Sequence, residues 1–407
     1  MELFNVLTVK DTTKLLDNFT YSLKSEKVTL LNATGRILIN DIIAKDNVPD
    51  FRRSTVDGYA VNSRDVFGAS ESIQSVLDLK GEVLMGEEAE GEITMPGQCY
   101  YVPTGGAIPK GADSVIMIEY TEKLSDDVIL TSKSTSPKEN MIEIGEDIKK
   151  DEVVITKGTK LRAYEIGVLA SLGYYEVEVY KQPKIGIIST GDEVVHPSES
   201  IKKGQIRDIN TFLLYSLIYE SGCVPINYGV IKDEYELLKL AVEKAVSECD
   251  IVLMSGGSSV GKKDNTVNVI KDLKCGELLV HGISIKPGKP TIIGRADNKI
   301  IFGLPGHPLA CAVIFKVIVK HYIENITQYK DTVYPIECKF NINYHKAKGR
   351  EEFLPVTIEE KKGELIASPV FGKSGLITGF SKAWGYIRIE RNEEGIKEGQ
   401  SVKVFKF

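Results

Sequence analysis

Cysteine is scarce and scattered in this 407-residue chain. The thiols Cys99, Cys223, Cys249, Cys275, Cys311 and Cys338 form no Cys-x-x-Cys pair, which argues against a cysteine-built zinc site. Isolated thiols suit a reducing compartment, so a cytoplasmic location is expected. Long hydrophobic runs are missing as well. No stretch reaches the roughly 18–20 apolar residues of a membrane span. The opening Met1-Glu2-Leu3-Phe4 has no basic region followed by an apolar core, so neither a membrane association nor a signal peptide is expected. An excess of positive charge is also lacking: 51 Lys and Arg stand against 57 Asp and Glu, a net charge of −6. That disfavours a sequence-independent nucleic-acid binder. Five histidines and no Gly-x-Ser-x-Gly turn leave no evident nucleophilic triad.

What is present is ordinary globular material, 42% hydrophobic and 27% charged. At about 150 residues per domain, the length predicts two or three domains. Residues 1–50 are helical and irregular, with Leu15, Leu16, Phe19 and Leu23 at helical spacing. Residues 51–135 are rich in Gly, Val and Tyr, broken by turns such as Met95-Pro96-Gly97, and read as a small β domain. A helical pattern at 161–172 then returns toward the character of the first segment.

From 181 to 328 apolar strands alternate with helices. Lys184-Ile185-Gly186-Ile187-Ile188, 224–231, Ile251-Val252-Leu253-Met254 and Ile300-Ile301-Phe302 read as strands. Residues 211–221 read as a helix. Asp233 is expected to cap the next one, with Glu236 three residues on. Leu237, Leu238, Ala241, Val242, Ala245 and Val246 are its expected apolar face. The alternation predicts a parallel sheet covered on both sides, with ligands beyond the carboxyl ends of its strands. Residues 329–407 return to period-two patterns, as in Ile387/Ile389 and Val402/Val404. The fold class is therefore α/β plus β.

Four segments could carry chemistry. Met254-Ser255-Gly256-Gly257-Ser258-Ser259-Val260-Gly261-Lys262-Lys263-Asp264 follows a strand and precedes a helix at 267–273. Inward-turned N–H groups, serine hydroxyls and a helix start suit a phosphate, although a plain strand–helix turn has the same outline. Lys263 stands where a nucleoside-triphosphatase P-loop needs Ser or Thr, which disfavours that class. Asp264 is either a helix cap or a ligand for Mg²⁺ or phosphate. Lys286-Pro287-Gly288-Lys289-Pro290 holds two cations on a stiff turn, and an anion would relieve their repulsion. Phe302-Gly303-Leu304-Pro305-Gly306-His307-Pro308 opens another helix, with Pro308 suited to its first turn. Ser54-Thr55-Val56-Asp57-Gly58-Tyr59-Ala60 carries an acid in a turn. Asp147, Glu193 and Asp208 recur in similar settings, and each alone would more often be a surface or turn acid. Anion cradles plus acids suit transfer chemistry by positioning and metal ions.

Taken together these segments resemble the molybdopterin molybdenumtransferase family, that of MoeA and the gephyrin E-domain. The resemblance spans nearly the whole chain, through the segments at Asp57, Pro103-Thr104-Gly105-Gly106, Gly145-Glu146-Asp147, Ser189-Thr190-Gly191-Asp192-Glu193, Gly204-Gln205-Ile206-Arg207-Asp208-Ile209-Asn210, Gly256, Lys286 and Leu304 in register. It implies an elongated multidomain subunit. Residues 1–50 and 136–180 would form a discontinuous linker domain and 51–135 an inserted β domain. Residues 181–328 would form a three-layer molybdopterin-binding domain and 329–407 a C-terminal β-barrel-like domain.

The resemblance also implies a homodimer that inserts molybdate into adenylylated molybdopterin with Mg²⁺, releasing AMP and molybdenum cofactor. A molybdopterin adenylyltransferase and apo-molybdoenzymes would be candidate partners. Asp57, Asp264, Glu193 and Asp208 would serve catalysis, with Asp57, Glu193 and Asp264 on the metal. Thr104, Asp147, Gly256, Gly257, Ser258, Ser259, Gly261, Pro305, Gly306, His307 and Pro308 would bind substrate. Lys286, Lys289, Arg350 and Ser374 would form the molybdate pocket.

This chain departs from the family at Val56, usually Met, and at Lys262, where a neutral or acidic residue is frequent. His307 and Trp384 stand in place of the usual Asn residues. These departures fit a divergent member, such as a tungstate-handling paralogue. The other readings are a molybdopterin adenylyltransferase and a non-catalytic pterin-binding scaffold.

Overall fold

A computed structural model describes residues 6–21, 23–256, 265–372, 375 and 377–407. The chain forms two compact units. One joins the N-terminal stretch up to Lys27 with Gly35–Ile37 and Glu178–Phe407; the other joins Val28–Thr34 with Leu38–Val177.

The unit containing Leu38–Val177 is organised by a six-stranded sheet. Its spatial order is Ser114–Met117, Gly58–Val61, Gln98–Val102, Ser75–Glu82, Val128–Thr131, Thr121–Ser125. Period-two alternation gives the sheet two apolar faces. Tyr59, Val61, Leu77, Cys99, Ile116 and Ile129 pack on one; Ala60, Val102, Val115 and Met141 pack on the other. The helix Ala163–Ser171 starts on half of a capping box: the Glu165 carboxylate accepts from the Arg162 backbone N–H and guanidinium.

The other unit holds a second six-stranded sheet, ordered Val224–Ile231, Lys184–Thr190, Ile251–Ser255, Lys299–Leu304, Ile292–Ala296, Glu277–His281. The first four strands are parallel. The last two are antiparallel, which departs from the expected parallel sheet. The reason is chain length. Ile292–Ala296 and Lys299–Leu304 are joined by a two-residue turn, far too short for a crossover helix.

Both faces of this sheet are covered, as expected. On one side Ile185, Ile187, Leu253 and Phe302 pack against Leu214, Ile218, Phe315 and Tyr322. On the other Ile188, Val252, Met254 and Ile301 pack against Leu238, Val242, Ala245 and Ile270. Each such side chain contributes roughly 1.5–3 kcal/mol by leaving water.

Two local expectations fail. The helix Tyr235–Glu248 has Glu234 at its N-cap with no side-chain cap bond. Asp233 is engaged elsewhere: its carboxylate accepts Asn265 Nδ2 at 3.0 Å. Leu237 is also 44% exposed, because the buried stripe follows Leu238, Val242 and Ala245.

The C-terminal strands close into a five-stranded barrel. Around the ring run Glu351–Lys361, Glu364–Pro369, Ile336–Phe340, Ser401–Lys406 and Gly385–Ile389, and the last pairs back to the first. Ile387, Ile389, Val402 and Val404 point into its core with Leu354 and Val356. The short strand Ile285–Lys286 runs parallel to the start of Glu351–Lys361, in register Ile285↔Glu351 and Lys286↔Glu352.

Candidate functional site

The parallel strands end together at Thr190, Ser255 and Leu304, with Ser189 opposite Ser255 and Ser255 opposite Leu304. Gly256 turns the chain there with φ +101°. A Cβ at this position would collide with the Thr190 carbonyl oxygen, so only glycine lets the two backbones meet. Asn210, 7% exposed, ties the edge together by donating to Ser255 Oγ at 2.7 Å and to the Gly306 carbonyl at 2.8 Å. Among the described residues the buried oxygens Thr190 Oγ1 and Asn210 Oδ1 find no hydrogen-bond partner. Such groups are costly in isolation and mark a place that a ligand or water would satisfy. Behind them burial, above all, pushes the Cys311 thiol up to about 12, despite a hydrogen bond with Ser255. That thiol is structural and not a nucleophile.

Asp208 is 5% exposed, and one of its carboxylate oxygens accepts the Thr211 N–H at 3.1 Å, where the helix Asn210–Glu220 begins. Glu193 is exposed beside the paired strands Val194–Val195 and Ile206–Arg207. Pro305 is buried, Gly306 and His307 are exposed, and Pro308 is the first residue of the helix Pro308–Ile314, as expected. The His307 ring lies beside Gly375: a Cβ on that glycine would sit 3.5 Å from His307 Cδ2. Gly257, Ser258, Ser259, Gly261, Asp264 and Ser374 lie outside the described residues.

The lysine turn meets the barrel. Ser284 Oγ donates to the Gly349 carbonyl at 2.6 Å, and Glu351 N–H donates to the Ser284 carbonyl at 3.0 Å. Arg350 therefore leaves the barrel next to Ser284, two residues before Glu352, the register partner of Lys286, and its own carbonyl accepts Lys346 Nζ at 2.9 Å. Lys289 closes the turn through its carbonyl, which accepts the Ile283 N–H at 3.0 Å. Gly288, at φ +120°, leaves room for the Ile314 side chain where a Cβ would stand. Lys286, Lys289 and Arg350 are all exposed. Lys286 Nζ also pairs with the buried Glu352 at 2.8 Å, a partner that sequence reasoning missed. A Glu following Arg-Glu on a strand gives no signal of its own. Asn210 was likewise assigned no role, although its place two residues after Asp208 at a helix start was visible.

In the other unit Asp57 and Thr104 meet. The Thr104 N–H donates to Asp57 Oδ1 at 2.7 Å, and both residues are exposed. Asp147 is exposed on a separate turn, its N–H donated to the Val48 carbonyl at 3.2 Å.

Among the described residues no three His, Cys, Asp or Glu side chains converge as a metal cage. Of the three carboxylates expected on the metal, Asp57 and Glu193 are among the described residues, and both are hard oxygen donors. They fit only the mode in which Mg²⁺ takes one or two carboxylates and completes its shell with water and substrate phosphates.

A mixed α/β sheet whose four parallel strands lie side by side, joined to a closed five-stranded barrel through the turn that carries Lys286 and Lys289, defines a multidomain α/β class. Known proteins narrow the class. The MoeA N-terminal region (domain I and II) matches residues 7–173. The model described as "Probable molybdopterin binding domain" matches 186–325, and the MoeA C-terminal region (domain IV) matches 338–407. The molybdopterin molybdenumtransferase of Haemophilus influenzae is 34% identical over 398 residues, 97% of this chain and 96% of that protein. That of Bacillus subtilis is 31% identical over 387 residues, 94% of this chain and 89% of that one. A crystal structure of a molybdopterin biosynthesis moeA protein from Pyrococcus horikoshii OT3 matches with TM-score 0.84 and 33% identity, over 99% of this chain and 100% of that one. The chain belongs to the MoeA family of molybdenum-cofactor biosynthesis enzymes.

Proposed function

We propose that this enzyme inserts molybdate into adenylylated molybdopterin: one water splits the adenylate phosphoanhydride to release AMP, and the oxygen that molybdate gives up to the cofactor's sulfur ligands leaves as water, yielding molybdenum cofactor. The observation that carries this reading is the parallel pairing of Ile285–Lys286 with the strand that begins at Glu351. It puts the lysine turn and Arg350, 64 residues apart in sequence, on neighbouring backbones. Lys286, Lys289, Arg350 and Ser374 would hold the molybdate dianion. Arginine suits an oxyanion because its planar fork donates two parallel hydrogen bonds.

The backbone from Gly256 to Gly261, with Ser258 and Ser259, would bind a substrate phosphate at the sheet edge, aided by the Thr190 hydroxyl, which can donate. Pro305, Gly306, His307 and Pro308 would line the same edge, and Thr104 and Asp147 would contact substrate. Asp57 and Asp264 would serve the hydrolysis by orienting the attacking water and taking its proton. Glu193 and Asp208 would line the cleft. Magnesium, when held by carboxylates from Asp57, Glu193 and Asp264, would supply charge neutralisation at the phosphates. In this reading the enzyme works as a homodimer. It is fed by a molybdopterin adenylyltransferase and supplies apo-molybdoenzymes.

The test is AMP release from adenylylated molybdopterin with Mg²⁺, with and without molybdate. AMP is expected only with molybdate, and Asp264→Ala should abolish it while the circular dichroism spectrum is kept. No AMP from the wild type, or equal release without molybdate, would overturn the assignment. A tungstate arm tests the paralogue reading that the His307 and Trp384 departures raise.

A further inference from the structure

We infer that Glu352 is a positioning residue for Lys286, braced by Tyr344. The inference rests on the molybdate reading above. Glu352 shares a strand face with Leu354 and Val356, which fill the barrel core. The residue is 4% exposed, and a carboxylate in such a place is costly unless paired. Its Oε1 takes two partners: Tyr344 Oη donates at 2.6 Å, and Lys286 Nζ lies at 2.8 Å.

The pair is oriented. The Lys286 side chain is 50% exposed and that of Glu352 only 6%, so the positive end faces solvent and the negative end faces the barrel. An ammonium carries three donors. With one fixed on Glu352, the others remain for an incoming oxyanion. A free lysine would lose its rotamer freedom when it bound that anion, whereas Lys286 is already held. The Glu352 backbone is held on both sides, opposite Ile389 of the barrel and opposite Lys286 itself. Tyr344 also packs against Phe371, with ring centroids 6.3 Å apart, three residues before Ser374. The neighbouring Glu351 is paired instead with Arg388 of the barrel.

Charge opposes positioning here, since a carboxylate also repels an oxyanion. Separate variants resolve the two effects. Glu352→Gln keeps an oxygen that accepts from both Tyr344 and Lys286 but removes the charge, whereas Glu352→Ala removes both. Equilibrium dialysis of full-length protein with molybdate alone should show Glu352→Ala weakened roughly tenfold, the scale of ordering one flexible side chain. Glu352→Gln should stay within about threefold of wild type, and Tyr344→Phe should weaken about threefold. In AMP release, Glu352→Ala should raise the molybdate KM and leave kcat at saturating molybdate unchanged. Should Glu352→Ala fail to fold, Glu352→Gln and Tyr344→Phe decide. Tighter binding by Glu352→Gln would overturn the inference, because the carboxylate would then act as a counter-charge. Wild-type affinity in Glu352→Ala, or in Tyr344→Phe, would also overturn it. Lys286→Ala is the control: undiminished molybdate binding in that variant would sink the molybdate reading itself.

Discussion

The Thr104 backbone N–H donates to Asp57 Oδ1 at 2.7 Å, while the Asp57 carbonyl accepts the Ile118 N–H at 3.0 Å. The side chain and backbone of this exposed acid are therefore both tethered. A carboxylate held this way keeps one geometry without being buried, as a catalytic base requires. Asp57→Asn preserves the acceptor and deletes the charge. AMP release should fall by about two to four orders of magnitude, the usual worth of general acid–base catalysis. The thermal unfolding midpoint should not move. Activity within threefold of wild type would remove Asp57 from the chemistry.

Asn210 joins the Ser255 hydroxyl to the Gly306 carbonyl at the sheet edge. Asn210→Ala cuts both bonds and leaves buried acceptors behind, at a cost of about 1–3 kcal/mol. Urea unfolding should show that loss. Equilibrium dialysis with adenylylated molybdopterin should show weaker binding, because the turn carrying His307 is released. Full stability and full affinity together would mean that Asn210 does not hold the edge.

The half capping box of Ala163–Ser171 has a pH signature. Arg162 grips the Glu165 carboxylate through Nη2 at 2.6 Å and Nε at 3.1 Å. Its hydrogen bond is the main cause that lowers the Glu165 pKa to about 2. A depressed carboxyl pKa means that protection is full above the unfolded value of about 4.3. It is lost as pH falls through about 2. Amide exchange at Ile166 and Leu169 should be faster in Arg162→Gln than in wild type at pH 7. The gap should close steadily below about pH 4.3. A gap that stays constant down to pH 2.5 would contradict the assignment of the shift to Arg162.

Periodicity made most of the fold legible. Val224–Ile231 was read at its observed limits, and Ile387, Ile389, Val402 and Val404 faced inward as their alternation implied. Reversal of the sheet at Ile292–Ala296 was not legible from a search for βαβ units, because an antiparallel edge differs from them only in turn length. Asp233 looked like a cap by its position before a helix. A longer-range partner, Asn265, claimed its carboxylate instead, and local sequence carries no sign of that competition. At the site, glycines and lysines were visible because they are grouped at close spacing in turns that follow strands. Glu352 and Tyr344 were not. Their meaning comes only from the pairing of Ile285–Lys286 with the barrel, a contact between segments 66 residues apart.

Molybdenum-edge anomalous diffraction from crystals soaked in molybdate locates the oxyanion without reference to turnover. One peak is expected within hydrogen-bond reach of Lys286 and Arg350, and it should vanish in Lys286→Ala. A dominant peak away from the lysine turn, or one that survives Lys286→Ala, would contradict the assignment of the oxyanion to this turn.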